Sequence, residues 1–196
     1  MYMIPAGLSD EALEDVVLAG ARAIPHSGAL TCSEAMPRYV GAPERRAAAL
    51  SGLLACAAEL AKRSALKDLI GQPVIQSPEK LKLYLQTHFA GYEHETFVVV
   101  FLNAHHRVIT VEEMFRGTLT QTSVYPREVV KRSLSHNAAA VVLAHNHPSG
   151  VAEPSRADEH LTQTLKSALA LVDVRVIDHA IVAGDRSVSM AERGLM

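Results

Sequence analysis

Two continuous runs of apolar residues constrain the fold of this chain more than any other feature. Residues 96–102 read TFVVVFL, and residues 138–145 read AAAVVLAH. β-Branched and aromatic residues favour strands, and a run without polar alternation favours a strand that is buried on both faces. Such strands need helices on both sides of their sheet, so the sequence predicts an α/β domain.

The segments around these runs predict a mixed sheet of about six strands that carries helices. Helices are expected to begin at Ser77 or Pro78, at Pro126 and at Ser155, where capping residues or proline precede apolar residues at helical spacing. Asn137 is the expected left-handed stop of the second of them, and Gly184-Asp185 predicts a hairpin turn. The remaining predicted strands are 107–111, 117–124, 174–177, 180–183 and 187–190.

The first 70 residues are rich in alanine and predict helices throughout. Ser9 is positioned to cap a helix over 11–21, and Pro43 can occupy the first turn of a second helix. Gly71-Gln72-Pro73 interrupts this pattern. We therefore predict a small all-helical domain over 1–70 and a second domain over 71–196.

Composition excludes several classes of protein. The net charge of −2 does not fit a polycation that holds nucleic acid by bulk charge. Two cysteines, Cys32 and Cys56, are too few for a zinc knuckle or a disulfide framework and favour the cytoplasm. Residues 1–10 lack the pattern of a secretory signal, and no apolar run approaches the roughly 18 residues of a membrane span.

The histidines that follow the second apolar run carry the clearest chemical signal. Residues 145–150 read HNHPSG, and Ser155 and Asp158 follow. Side chains two apart on a strand share a face, so His145 and His147 can reach one cation. Asp158, carried back by the turn, would complete a face of three ligands. The fourth tetrahedral position then stays open, as catalytic zinc requires, although another divalent metal is also compatible.

A structural interpretation of the same residues is also open. Ser155-x-x-Asp158 has the spacing of a capping box, in which Ser155 and Asp158 satisfy backbone groups at a helix start. Asp158 would then be a capping residue, and Ser155 can combine both roles.

At these residues the chain resembles the JAB/MPN metalloprotease domain and, within it, the RadC family. The resemblance covers residues 72–196, and it also rests on the segments FRGTL (115–119), VYPREVVKR (124–132) and LALVDVRVIDH (169–179). It implies a cytidine-deaminase-like mixed sheet flanked by helices. It also implies Zn²⁺ held by His145, His147 and Asp158.

The resemblance further implies a hydrolase that cleaves a peptide or other amide bond with a metal-activated water. Glu95 fits the position of the family's glutamate, which takes and later delivers a proton. Glu93 is the second choice, while Glu112 and Glu113 come too late in the chain. Ser155 takes the position of the serine that donates a hydrogen bond to the oxyanion. Asn146 lies between the ligands and is expected to secure the turn.

A DNA-repair-associated accessory protein that binds DNA or a partner is the alternative function. Proteins of this family commonly begin with a helix-hairpin-helix, and residues 40–46 (VGAPERR) would be its hairpin. Pro43 has no N–H to donate to phosphate, so we expect a degenerate hairpin. Arg127 and Lys131 share a helix face that is solvated by default and could meet an acidic or phosphate partner. His179 near a strand end could orient a metal-binding histidine, but a structural histidine is the preferred interpretation. His105-His106 is expected to be a solvated turn.

Overall fold

The computed structural model describes residues 9–15, 43–117 and 124–196. The chain divides into two compact units, residues 1–64 and residues 65–196. This division falls inside helix α1 (Pro43–Leu69). The boundary between two domains after residue 70, expected from the sequence, stays a prediction. Among the described residues, no helix is both long enough and apolar enough to cross a membrane.

The described part of the first unit is helical. Residues 10–15 form a helical segment, and the Ser9 hydroxyl accepts a hydrogen bond from the Ala12 N–H at 3.2 Å, as expected for a cap. Arg63 of α1 forms ion pairs with Asp10 and Glu59, both at 2.8 Å. Of the predicted hairpin, residues 40–42 lie outside the described residues, and 43–46 begin α1.

The second unit is built on one mixed sheet. Its strands are β1 (Thr96–Leu102), β2 (Val108–Arg116), β3 (Ala140–Asn146), β4 (Arg175–Ala183) and β5 (Arg186–Ser189). Their order across the sheet is β2-β1-β3-β4-β5. Among these five described strands, β3 and β4 pair in parallel, and the other three pairs are antiparallel.

Alternate residues of the central strands build two cores on opposite faces of the sheet. Val98, Val100 and Val142 pack with helix α2 (Pro78–Phe89), which follows a short 3₁₀ turn over Val74–Gln76. The other core contains residues of β1 and β3 together with residues of α3 (Pro126–Ser135) and α4 (Arg156–Ala170): Phe97, Val99, Phe101, Leu143, Val129 and Leu165. Every residue of β1 and β3 is buried, as their apolar sequences predict.

Several predicted elements are confirmed within a few residues. The strand over Thr96–Leu102 has the predicted bounds, and helices follow Ser77, Tyr125 and Ser155. Asn137 and Gly184 have φ values of 50° and 62°, as the helix stop and the hairpin turn require.

The number of strands differs from the prediction. The segments 174–177 and 180–183 form one strand, β4, because a bulge opposite Val141 and Val142 leaves Ile177 without a paired residue. Asp178 and His179, the polar pair between the two apolar segments, are themselves paired with Val142 and Leu143 of β3. The described residues therefore form a five-stranded sheet. Of the strand predicted over 117–124, residues 118–123 lie outside the described residues, and 117 and 124 are not in a strand.

Candidate metal centre

The end of strand β3 delivers two histidines to one side of the sheet. His145 is paired with Phe97 of β1, and the two rings stack at 6.4 Å between centroids. The His147 N–H donates to the Val182 carbonyl at 2.8 Å, so the chain still follows β4 for one residue beyond β3. Gly150, with φ of 79°, then closes a turn in which its N–H donates to the His147 carbonyl.

The first turn of helix α4 delivers the carboxylate. Ser155 is the N-cap, and its hydroxyl oxygen accepts from the Asp158 N–H at 3.2 Å. Asp158 in turn accepts from the Ser155 N–H at 2.7 Å, which completes the predicted capping box. These bonds fix the direction of the Asp158 side chain.

His145, His147 and Asp158 converge on one point. The two Nε2 atoms are 2.9 Å apart, and they lie 3.2 Å and 3.7 Å from the Asp158 carboxylate oxygens. One potential ligand atom from each residue lies within 4.8 Å of the others. The three side chains are only 7 to 14% exposed.

A hydrogen bond at Nδ1, the ring nitrogen of His147 that points away from the centre, determines the tautomer of this ring. Nδ1 lies 2.7 Å from the Val151 carbonyl oxygen, which can only accept a hydrogen bond. Nδ1 must therefore carry the proton, so in the neutral ring Nε2 presents a lone pair to Asp158 and His145.

A buried chain of hydrogen bonds orients His145 in the same way. Its Nδ1 lies 2.9 Å from His179 Nε2, and His179 Nδ1 lies 2.6 Å from the Thr162 hydroxyl. That hydroxyl donates its proton to the Asp158 carbonyl at 2.6 Å, so it accepts from His179. Burial lowers the pKa of His179 well below its ordinary value and keeps the ring neutral.

The direction of these hydrogen bonds leaves a lone pair on the His145 nitrogen that faces the centre. Because His179 Nδ1 donates to Thr162, its Nε2 accepts from His145 Nδ1, so in the neutral tautomer of His145 the lone pair lies on Nε2. Of the two roles that the sequence leaves open for His179, these contacts favour the orientation of a ligand histidine over the preferred, purely structural one. A histidine on the strand adjacent to β3 was the available signal, but only the fold brings its ring to His145.

The electrostatics of Asp158 complete the donor set. Burial by itself raises the pKa of Asp158, but its interactions with His145 and its hydrogen bonds with Ser155 lower it by more, to well below its ordinary value. Two imidazole nitrogens and an ionised carboxylate approach this closely only if a proton or a cation lies among them. The donors therefore fit a divalent metal ion, with outer hydrogen bonds of the kind that orient metal-binding histidines.

Replacing Thr162 with valine is expected to weaken zinc binding about 10- to 100-fold, because His179 loses the acceptor that fixes its ring. Competition with a chromophoric chelator measures the affinity. Thr164→Val is the matched control, since Thr164 lies on the same helix and its hydroxyl bonds the His160 carbonyl at 2.9 Å. Equal affinities for the two variants would contradict the orienting role.

Ser155 caps helix α4 and also bonds the carboxylate of Asp158. Its hydroxyl donates to Asp158 at 2.7 Å, so its single proton is engaged in this structure. To donate to a substrate oxygen, the hydroxyl would have to rotate away from Asp158.

Glu95 directly precedes β1 and is half-buried, whereas Glu93 is exposed. The pairing of β1 with β3 ends at Phe97 and His145, so Glu95 lies two residues beyond the last paired residue of β1, at the end of the sheet that carries His145. Glu112 is engaged elsewhere: its carboxylate bonds Arg132 and His136, which lower its pKa. Glu113 accepts from the Tyr92 hydroxyl at 3.2 Å.

Asn146 does not secure the turn, as the sequence suggested, but bonds the segment before β1. Its Oδ1 accepts from the Thr96 N–H at 2.8 Å, and its Nδ2 donates to the His94 carbonyl at 3.0 Å. The backbone on both sides of Glu95 is therefore tied to the strand that carries the histidines. A separation of about fifty residues in sequence hides this contact from local pattern analysis.

The other predicted features lie away from the centre. His105 is exposed in the β1–β2 turn, and His106 has φ of 55° and contacts Arg175, as expected of a turn. On α3, Arg127 and Lys131 both pair with Glu128, at 3.4 Å and 3.8 Å.

Comparison with known proteins agrees with this architecture. Residues 75–195 match the family model described as RadC-like JAB domain. A UPF0758 protein of Nitrosomonas eutropha is 53% identical over 173 residues, which are 87% of this chain and 77% of that protein. A UPF0758 protein of Acidovorax sp. is 57% identical over 84% of this chain and 67% of its own length. A UPF0758 protein of Variovorax paradoxus is 62% identical over 70% of this chain and 61% of its own length. With the family model covering more than half of its residues, the chain belongs to the RadC family and carries a RadC-like JAB domain.

Proposed function

We propose that this chain is a zinc-dependent hydrolase that cleaves a peptide or other amide bond with an activated water. The observation that carries the proposal is the convergence of His145, His147 and Asp158 with both rings oriented by outer hydrogen bonds. A set of three protein ligands is typical of catalytic zinc, because structural zinc uses four.

The ion, when bound, supplies a Lewis acid that makes water nucleophilic near neutral pH and polarises the scissile carbonyl. The protein's own groups have separate tasks. The two histidines and Asp158 would hold the ion, and three protein ligands would leave a coordination position for water or substrate. The half-buried carboxylate of Glu95 takes the proton of the attacking water and delivers it to the leaving amine.

Ser155 has two tasks in this proposal. In the resting site its hydroxyl donates to Asp158 and fixes that ligand. During attack the hydroxyl rotates and donates to the oxyanion that develops on the substrate carbonyl. The Asp158 carboxylate keeps its bond from the Ser155 N–H, so it remains oriented while the hydroxyl turns.

Binding of DNA or of a DNA-repair partner stays a prediction. The hairpin that would contact phosphate lies partly outside the described residues. On the α3 face, Glu128 pairs with both Arg127 and Lys131, which reduces the positive charge offered to a phosphate backbone.

Hydrolysis of a peptide pool by the full chain, followed by mass spectrometry, tests the proposed function. The pool contains linear peptides, lysine isopeptides and acylated amines. Protein reloaded with zinc is expected to release new amine termini, and protein stripped with a chelator is expected to release none. No cleavage by zinc-loaded protein at any tested pH would contradict the hydrolase proposal.

A further inference from the structure

Asn146 connects two parts of the proposed site that no regular strand pairing connects. The last paired residues of β1 and β3 at this end of the sheet are Phe97 and His145. Beyond them, the Asn146 side chain bonds the Thr96 N–H and the His94 carbonyl. Asn146 is only 4% exposed, so these bonds are shielded from water.

The two bonds need the particular chemistry of a side-chain amide. Thr96 offers a donor and His94 an acceptor, and an asparagine presents one acceptor and two donors on a short, planar group. A carboxylate at this position would accept from Thr96 but would lack a donor for His94. Alanine would leave both backbone groups without this partner in a buried place, which is costly.

The segment that Asn146 holds carries Glu95. The Glu95 carbonyl accepts from the Gly117 N–H at 2.8 Å, which ties the segment to the end of β2. The His94 ring stacks on Tyr92, with centroids 5.4 Å apart and an angle of 21°. Asn146 supplies the connection to the opposite side, to the strand end that bears His145 and His147.

We infer that Asn146 is a positioning residue that fixes the distance between the Glu95 carboxylate and the histidine pair. This inference rests on the proposed function, because it assigns Glu95 as the base. The Asn146 backbone is continuous with both histidines, and its side chain holds the backbone on both sides of Glu95. A displacement of about 1 Å between catalytic groups can cost about 100-fold in rate, so one amide can control turnover without touching substrate.

Asn146→Ala in the full chain tests this inference by two independent measurements. Hydrogen exchange resolved to single amides is expected to show at least 10-fold faster exchange at Thr96, with residues 140–144 of β3 unchanged. On the peptides cleaved by the wild-type protein, kcat is expected to fall 10- to 100-fold, with KM and zinc affinity within about threefold. Asn146→Asp keeps the acceptor for the Thr96 N–H, so its exchange rate at Thr96 should lie between those of the wild-type protein and Asn146→Ala.

Asn103→Ala is the matched control. The Asn103 side chain likewise makes two bonds to backbone groups, at the opposite end of β1. Its Oδ1 accepts from the His105 and Arg107 N–H groups at 2.9 Å and 3.0 Å. This variant should lose thermal stability without a change in kcat. Full kcat in Asn146→Ala, or unchanged exchange at Thr96, would overturn the positioning role.

The two proposals fail in different ways. If zinc-loaded wild-type protein cleaves nothing, the hydrolase proposal fails and the role of Asn146 fails with it. If the wild-type protein is active and Glu95→Gln is inactive, but Asn146→Ala keeps full kcat, only the inference about Asn146 is overturned.

Discussion

Glu95→Gln is expected to lower amide hydrolysis about 100- to 10,000-fold while zinc stays bound. Glutamine has nearly the shape of glutamate but cannot take a proton from water, so the change removes general base catalysis alone. Glu95 is not one of the three residues that converge on the centre, so the zinc content of the protein should not change. Steady-state kinetics on a cleaved peptide, with zinc measured in the same samples, gives both quantities.

Glu93→Gln is the matched control for that experiment. Glu93 lies two residues earlier, is exposed, and was the second choice for the base. It is expected to keep activity within about threefold of the wild type. If Glu93→Gln loses activity and Glu95→Gln keeps it, the assignment of the base is reversed. Full activity in both variants would mean that neither carboxylate takes the proton.

His147→Ala is expected to weaken zinc binding by more than 100-fold, which exceeds the effect of altering an outer hydrogen bond. A ligand that binds only the folded state at 1,000 times its Kd stabilises that state by about 4.1 kcal/mol. Zinc should therefore raise the Tm of the wild-type protein by several degrees and leave that of His147→Ala unchanged. Differential scanning calorimetry with and without a chelator measures this.

His105→Ala is the control for loss of a histidine. His105 is exposed in the β1–β2 turn, at the end of β1 away from the centre. Its zinc-dependent rise in Tm should equal that of the wild type. An equal rise in His147→Ala would show that zinc stabilises the fold from another place.

The parts of the fold that local sequence determines were predictable. Seven consecutive apolar or β-branched residues predict β1 with the bounds that the structure has, because such a run is stable only as a buried strand. His145 in β3 and His147 one residue beyond its end share a face because side chains alternate along an extended backbone. The capping pattern of Ser155 and Asp158 fixes the start of α4, and the same bonds aim the carboxylate.

The parts that depend on contacts between distant segments were not predictable. Asn146 meets residues about fifty positions earlier, and His179 meets Thr162 and His145 only because β4 lies beside β3 under α4. β4 looked like two strands, since Asp178 and His179 are polar. In the structure they remain in the strand because they pair with Val142 and Leu143 of β3, and the Asp178 carboxylate accepts from the His179 and Ala191 N–H groups.

We expect His145, His147 and Asp158 to hold one catalytic metal ion. Inductively coupled plasma mass spectrometry of the full chain, purified without added metal and beside His147→Ala, tests it most directly. About one zinc per wild-type chain, lost in the variant, is the expected result. A folded wild-type chain that contains no divalent metal and takes up none when zinc is added would contradict it.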